Sequence, residues 1–193
     1  MRCHHALYEW RPLRDLVEET DNELMREPKV RWEFARYGAE AAWNLAIACD
    51  DEGVAALHWG AMERYVGSMR EGSLDECKFS AVLSVRQRQL GVAQRQIDRA
   101  RMVCDAELAG LVGESYRRAY RMMVALQQLA ELEEVVMHCR SPAALTLDHL
   151  TALWRSRISQ CARSVQVWRM LFSVQVTRDA RAQMRPTPVC CPS

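Results

Sequence analysis

Apolar positions recur at helical spacing through almost the whole chain, and the densest run lies between Glu107 and Cys139. Leu108, Leu111, Val112, Tyr116, Ala119, Tyr120, Met123 and Leu126 follow one another in steps of three and four, which places them on one face of an α-helix. The pattern restarts after Gln127 and Gln128: Leu129, Leu132, Val135, Val136 and Cys139 form a second stripe, from which Glu131, Glu133 and Glu134 are expected to turn away. No proline interrupts this stretch, and its only glycines are Gly110 and Gly113. Periodicity alone leaves two arrangements open. One is a single helix about 50 Å long, unusual without coiled-coil heptads; the other is two helices.

The same period organises the rest of the chain. Ala6, Leu7 and Trp10 sit on one side of a first short helix over residues 3–10, and Pro12 suits the first turn of a second. Leu13, Leu16 and Val17 make that second helix amphipathic, with an end near Asp21 and Asn22. Glu27-Pro28 breaks the pattern. From Lys29 to Cys49 a longer helix is predicted on the stripe Phe34, Tyr37, Ala41, Leu45 and Ala48. Asp50 to Gly53 reads as a turn, and Val54 to Met69 resumes with Met62, Tyr65, Val66 and Met69 apolar. Gly72-Ser73 separates this from a helix carrying Ala81, Val82 and Val85, and then from one carrying Leu90, Ala93, Ile97, Ala100 and Cys104. Ser141-Pro142 has the form of an N-cap followed by a first-turn proline, ahead of a pattern running Leu150, Trp154, Ile158, Cys161, Val165, Trp168, Phe172 and Val176.

No stretch predicts a strand. Helix pairs begin near residues 3, 30, 75, 107 and 146, a spacing a little above the roughly 34 residues of a tetratricopeptide repeat. The expected fold is all-α, an α-solenoid of degenerate tetratricopeptide-like helical hairpins. A single irregular helical bundle is the alternative.

Composition agrees with a helical reading. The 193 residues are 49% hydrophobic but only 7% aromatic, so the core must be built largely on Ala, Leu, Val and Met. A net charge of +1 implies no strong electrostatic partner, and nothing asks for nucleic acid. No apolar run approaches the ~20 residues of a membrane helix, so membrane insertion is not expected. Met1-Arg2-Cys3-His4-His5 lacks a signal-peptide core, and the eight cysteines are expected to be reduced in a cytoplasmic protein, with Cys3, Cys49, Cys77, Cys104, Cys139 and Cys161 serving as small hydrophobes within helical patterns.

Candidate chemistry is sparse. Gly113-Glu114-Ser115-Tyr116-Arg117 lacks the final glycine and the preceding strand of a nucleophile elbow. Cys3-His4-His5 and His138-Cys139 place metal-ligating types at adjacent positions, which point about 100° apart on a helix and cannot share a face. Cys190-Cys191-Pro192-Ser193 lacks the aliphatic residues and the polybasic run of a prenylation signal. Arg117, Arg118 and Arg121 lie close together on the central helix, and Arg155, Arg157, Arg163 and Arg169 add positive charge later. Guanidinium groups suit phosphate because they donate paired, charge-assisted hydrogen bonds, but a solvated helix face accounts for most of them. No catalytic constellation and no metal site is expected.

A longer signal lies in Gly113-Glu114-Ser115-Tyr116-Arg117-Arg118-Ala119-Tyr120, with Met123-Val124 and Gln127 to Val136 after it. It closely resembles the FAT domain of the target-of-rapamycin (TOR) family of Ser/Thr protein kinases. Met1-Arg2-Cys3 with Leu7, Trp10 and Leu16, Glu40 to Trp43, Met62 to Val66, Ala81 to Val85, Ile97 to Arg101, Trp154 to Ile158 and Val165 to Trp168 fit the same resemblance. It covers residues 1–184, expected to be a partial FAT-domain helical-repeat segment, with residues 185–193 a divergent, disordered tail. Ala46 to Ala56 resembles an insertion where relatives have a tight turn.

The resemblance implies a scaffold: a FAT solenoid clamps the kinase domain and contacts regulatory subunits, and carries no catalytic residue. The kinase signatures are absent from this sequence, so the expected chain is a non-enzymatic fragment of a TOR-type kinase, its partners being the rest of that kinase and its complex subunits. A stand-alone helical-repeat adaptor is the second reading. The resemblance also implies a remnant of an inositol hexakisphosphate site at Arg163, binding weakly at most because the family's downstream lysines have no counterpart here. A solenoid cut at both ends would expose apolar faces and self-associate.

Overall fold

The computed structural model describes residues 1–20, 27–111, 113, 116–161, 167, 168 and 171, the side chains of residues 117 and 118 excepted. Among these residues the secondary structure is helical and no strand occurs. Eight helices run in order: α1 (Arg2–Leu7), α2 (Trp10–Glu19), α3 (Pro28–Ile47), α4 (Glu52–Gly67), α5 (Leu74–Arg86), α6 (Leu90–Leu111), α7 (Tyr116–Arg140) and α8 (Leu147–Gln160). Neighbours in sequence pack as neighbours in space, α2 on α3, α3 on α4, α5 on α6 and α6 on α7. This is the serial helix-hairpin arrangement that the periodicity predicts.

Local signals set the boundaries. Tyr8 turns the chain from α1 into α2 in the left-handed region, φ 60°, and His5 and His4 carbonyls accept the amides of Tyr8 and Glu9. Pro28 opens α3, its missing amide costing nothing there. Asp51 caps α4 by accepting the Val54 amide at 3.0 Å, so Glu52 and Gly53 belong to the helix rather than to the predicted turn. Ser73 caps α5 by accepting the Glu76 amide at 3.3 Å, while the Glu76 carboxylate reaches back to the Gly72 amide at 3.2 Å. This reciprocal arrangement is a capping box displaced by one residue, and Gly72 serves it at φ 72°.

Of the two arrangements left open for Glu107 to Cys139, the chain adopts two helices: α6 ends at Leu111 and α7 begins at Tyr116. One sequence expectation needs correction: Ser141-Pro142 does not open a helix. Residues 141–145 form a separate turn, whose Leu145 carbonyl accepts a 2.7 Å hydrogen bond from the His138 ring, and α8 is capped by Thr146 at the His149 amide. Leu145 packs against the core and holds the turn in place.

The main core is continuous from α3 to α8. Ile97, Phe79, Met62, Leu129, Leu132, Leu150 and Trp154 are among its fully or almost fully buried side chains. The α3 stripe differs from expectation: Ala35, Ala39, Ala42, Trp43 and Ala46 face this core, and Tyr37 and Ala41 face Leu13 and Val17 of α2. Helix α3 is therefore covered on two sides. Its small residues allow close approach, closest at Gly38, where a Cβ would lie 2.8 Å from the Tyr65 ring of α4. Buried Cys77 and Cys104 behave as core fillers; burial, reinforced by neighbouring carboxylates, pushes both thiols up to about 11.

Two glycine substitutions should move stability in opposite directions. Gly38→Val overpacks the α3–α4 contact and is expected to cost about 1–3 kcal/mol. Gly60→Ala, where no atom would meet the new methyl within 4 Å, is expected to add roughly 0.5–1 kcal/mol by raising helix propensity. Urea unfolding midpoints of the two variants against the parent chain check both signs.

Candidate functional site

The segment Gln127 to Val136 lies in the interior half of α7, and its acidic residues do not face away from the protein. Glu131 is fully buried and accepts a 2.9 Å hydrogen bond from Gln127. Glu133 turns to α6, where it accepts from Arg101 at 2.6 Å and from Gln94 at 2.8 Å. Glu134 turns to α8, accepting from the Trp154 indole at 2.6 Å and from both terminal nitrogens of Arg157, at 2.9 and 2.6 Å. Adjacent helical residues diverge by about 100°, so two consecutive carboxylates can join α7 to different neighbours. Burial raises the Glu133 carboxyl, but the hydrogen bonds from Arg101 and Gln94 outweigh it and hold it below the ordinary carboxylate range.

The sequence-predicted candidates are dispersed. Arg163 and Arg169 lie outside the described residues, as do Ser115, the side chains of Arg117 and Arg118, and residues 185–193. Arg157 belongs to the Glu134 clamp and not to a basic face. Arg121 and Arg155 are exposed. Among the described residues no three His, Cys, Asp or Glu side chains come together in a way that could hold a metal ion. His4 pairs with Glu9 at 2.6 Å and His5 with Glu40 at 3.0 Å.

A second polar centre, absent from the sequence reading, forms where α1, α3 and α7 meet around a cavity of about 680 Å3. Arg2, His5, Arg36, Tyr37, Glu40 and Arg121 line it. Arg2 pairs with Glu33 at 3.1 Å across α1 and α3. The His5 ring meets Tyr37 edge-on at 5.1 Å while bonding Glu40, and Arg36 sits 4.0 Å from Glu40 and 3.9 Å from Asp75 of α5. Burial alone would raise the Glu40 carboxyl. The His5 hydrogen bond and the charges of Lys78, His5 and Arg36 overcome it and hold the group below its usual range. The sequence signal was slight: Glu40 stands among Gly38, Ala39, Ala41 and Ala42, too small to shield a charge, so it needed partners from another helix.

The family model described as the FAT domain matches residues 35–176, well over half of the chain. The chain belongs to the FAT-domain family. Its FAT sequence is 33% identical to the Serine/threonine-protein kinase TOR of Arabidopsis thaliana over 98% of the chain and 8% of that protein. It is 35% identical to Serine/threonine-protein kinase mTor of Drosophila melanogaster, over 90% of the chain and 6% of the relative. With Serine/threonine-protein kinase TOR2 of Saccharomyces cerevisiae the values are 30%, 98% and 7%. The chain thus spans less than a tenth of the length of these curated relatives. The FAT match includes both α7 carboxylates and their partners Arg101, Trp154 and Arg157. No helix among the described residues is long and apolar enough to cross a membrane.

Removing the second carboxylate tests the clamp. Glu134→Leu leaves the Trp154 N–H and the Arg157 guanidinium without their acceptor and is expected to cost about 2–3 kcal/mol; Arg155→Ala, on the exposed side of α8, should stay within about 0.5 kcal/mol. Chemical unfolding of both variants decides. The Glu40 site has a pH signature. A carboxyl held below its unfolded value near ~4.3 stabilises the fold above that pH, and the contribution disappears as pH falls through the lower folded value. Melting temperature against pH should therefore fall more steeply below about pH 4.3 in the parent chain than in Glu40→Gln.

Proposed function

We propose that this chain is a non-catalytic helical-repeat scaffold segment of a TOR-type Ser/Thr protein kinase, supporting the kinase domain and docking regulatory subunits in the cytoplasm. The observation that carries the reading is the FAT match over residues 35–176 combined with TOR kinases as relatives along nearly the whole chain. The helix packing is suited to it. Successive hairpins joined by buried contacts form a continuous body that transmits position from one end to the other, as helical-repeat scaffolds do. Ion pairs join the helices on both sides of α7: Glu133 with Arg101 of α6 and Glu134 with Arg157 of α8.

The test is a replacement. Deleting the matching FAT segment from the TOR2 kinase of Saccharomyces cerevisiae should abolish a soluble, active kinase, and inserting residues 1–184 of this chain should restore it. A chimera no better than the deletion would overturn the scaffold reading, and phosphotransfer by this chain alone would overturn its non-catalytic character. We further propose that Arg163 contributes to no more than weak inositol hexakisphosphate binding, since a polyphosphate needs several converging cations. Calorimetric titration at physiological salt should show no saturation, and saturable micromolar binding would overturn this.

A further inference from the structure

The cavity between α1, α3 and α7 adjoins a second one, of about 290 Å3, which shares Glu33 and Arg36 with it and adds Trp32, Arg70 and Ser73. Taken together as one groove, they carry Arg2 and Arg121 in the first cavity, Arg70 in the second and Arg36 in the wall common to both. Arg70 and Arg121 are exposed and have no ion-pair partner among the described residues; Arg70 lies 5.8 Å over the Trp32 ring. Arg36 is held loosely, no closer than 3.9 Å to a carboxylate oxygen, and Arg2 pairs with Glu33 in the open, where water competes for both groups. Four guanidinium groups are therefore available or easily released along one groove, between aromatic rings of Tyr37, Tyr120 and Trp32.

We propose that this groove docks an acidic peptide segment of a protein partner, a proposal that rests on the scaffold reading and gives it a site. Guanidinium groups form forked, charge-assisted hydrogen bonds to carboxylates, and the rings supply flat apolar surface for side chains between them. The carboxylates in the same walls, Glu33, Glu40 and Asp75, argue for a peptide against a nucleic acid. A peptide presents acidic groups at chosen positions and can place neutral or basic ones beside the wall carboxylates. A phosphate backbone is negative throughout and would meet repulsion at each of them.

The probe is a fluorescein-labelled synthetic peptide of glutamates interspersed with tyrosines, titrated against the full 193-residue chain by anisotropy at physiological ionic strength. Saturable binding is expected, weakened by about tenfold or more in the double variant Arg70→Glu with Arg121→Glu. The same charge change elsewhere, Arg95→Glu with Arg155→Glu, should leave it intact. Because the reversals could disturb folding, Arg70→Gln with Arg121→Gln is measured beside them, each checked by its thermal melt, and should weaken binding in the same direction. Absence of saturable binding, equal losses in groove and control variants, or tighter competition by oligothymidylate than by unlabelled peptide would each overturn the proposal. The chimeric kinase separates this outcome from the parent reading: restored kinase with no peptide binding removes the groove alone, whereas peptide binding with no restored kinase removes the scaffold and leaves the groove.

Discussion

Helix α7 is buried on two sides, and the arrangement of the later hairpins follows from that constraint. A helix with one wet face can leave its charges in water. Between α6 on one side and α8 on the other, α7 must either omit charges or pair them. Glu133 and Glu134 are paired, each with an arginine from a different neighbour, and Glu131 is enclosed altogether. Forming such pairs adds only modest net stability, because burying the ions costs almost as much as their attraction returns. Breaking one is expensive, since the surviving charge stays enclosed without a partner. The pairs thus act mainly on specificity. A rotation of α7 about its axis would bury Glu133 or Glu134 away from its arginine, so the register of α7 against both neighbours is fixed by penalty more than by gain.

Helix α3 meets the same constraint with different chemistry. Its two covered sides are lined by Ala35, Ala39, Ala42 and Ala46 on one and by Tyr37 and Ala41 on the other, so close backbone approach replaces ion pairing. The one acidic residue in this stretch, Glu40, is held by His5 from α1 and by the charges of Arg36 and Lys78. Small residues let a neighbouring helix approach closely, as the Tyr65 ring does at Gly38, and whatever charge remains among them must be satisfied from a neighbouring element. The polar centre at α1, α3 and α7 is a consequence of that packing.

The legibility of the sequence divides along the same line. Where a helix has one buried face, the apolar stripe identified both the helix and its core residues: Ala93, Ile97, Ala100 and Cys104 on α6, and Leu13 and Val17 on α2, are buried as their spacing predicts. Where a helix has two, the stripe identified the helix and misassigned its surroundings. On α3 the spacing selected Phe34, Leu45 and Ala48, none of them fully buried, and passed over the alanines at the close contacts. On α7 it sent three glutamates into solvent. A hydrophobic scale counts Glu as outward-facing and Ala as neutral, and neither statement holds once a second helix covers the face. The family resemblance, by contrast, survived intact, because it rests on residue identities, including the two glutamates, and not on which way they were thought to point.

This bears on how charge can serve binding in such a protein. Eight arginines between residues 117 and 169 suggest a basic surface when counted along the chain. In the fold Arg157 is consumed by Glu134, and Arg101 from the preceding helix by Glu133. Arg70 and Arg121, far apart in sequence, are without ion-pair partners among the described residues and line two adjoining cavities that share Glu33 and Arg36. Net charge of +1 is therefore a poor guide to local potential. Internal pairing withdraws equal numbers of both signs from the surface, and what remains exposed is decided by the fold alone. A helical-repeat body that uses salt bridges to set its internal register will present its unpaired charges where hairpins distant in sequence converge, which is also where a groove wide enough for a peptide can form.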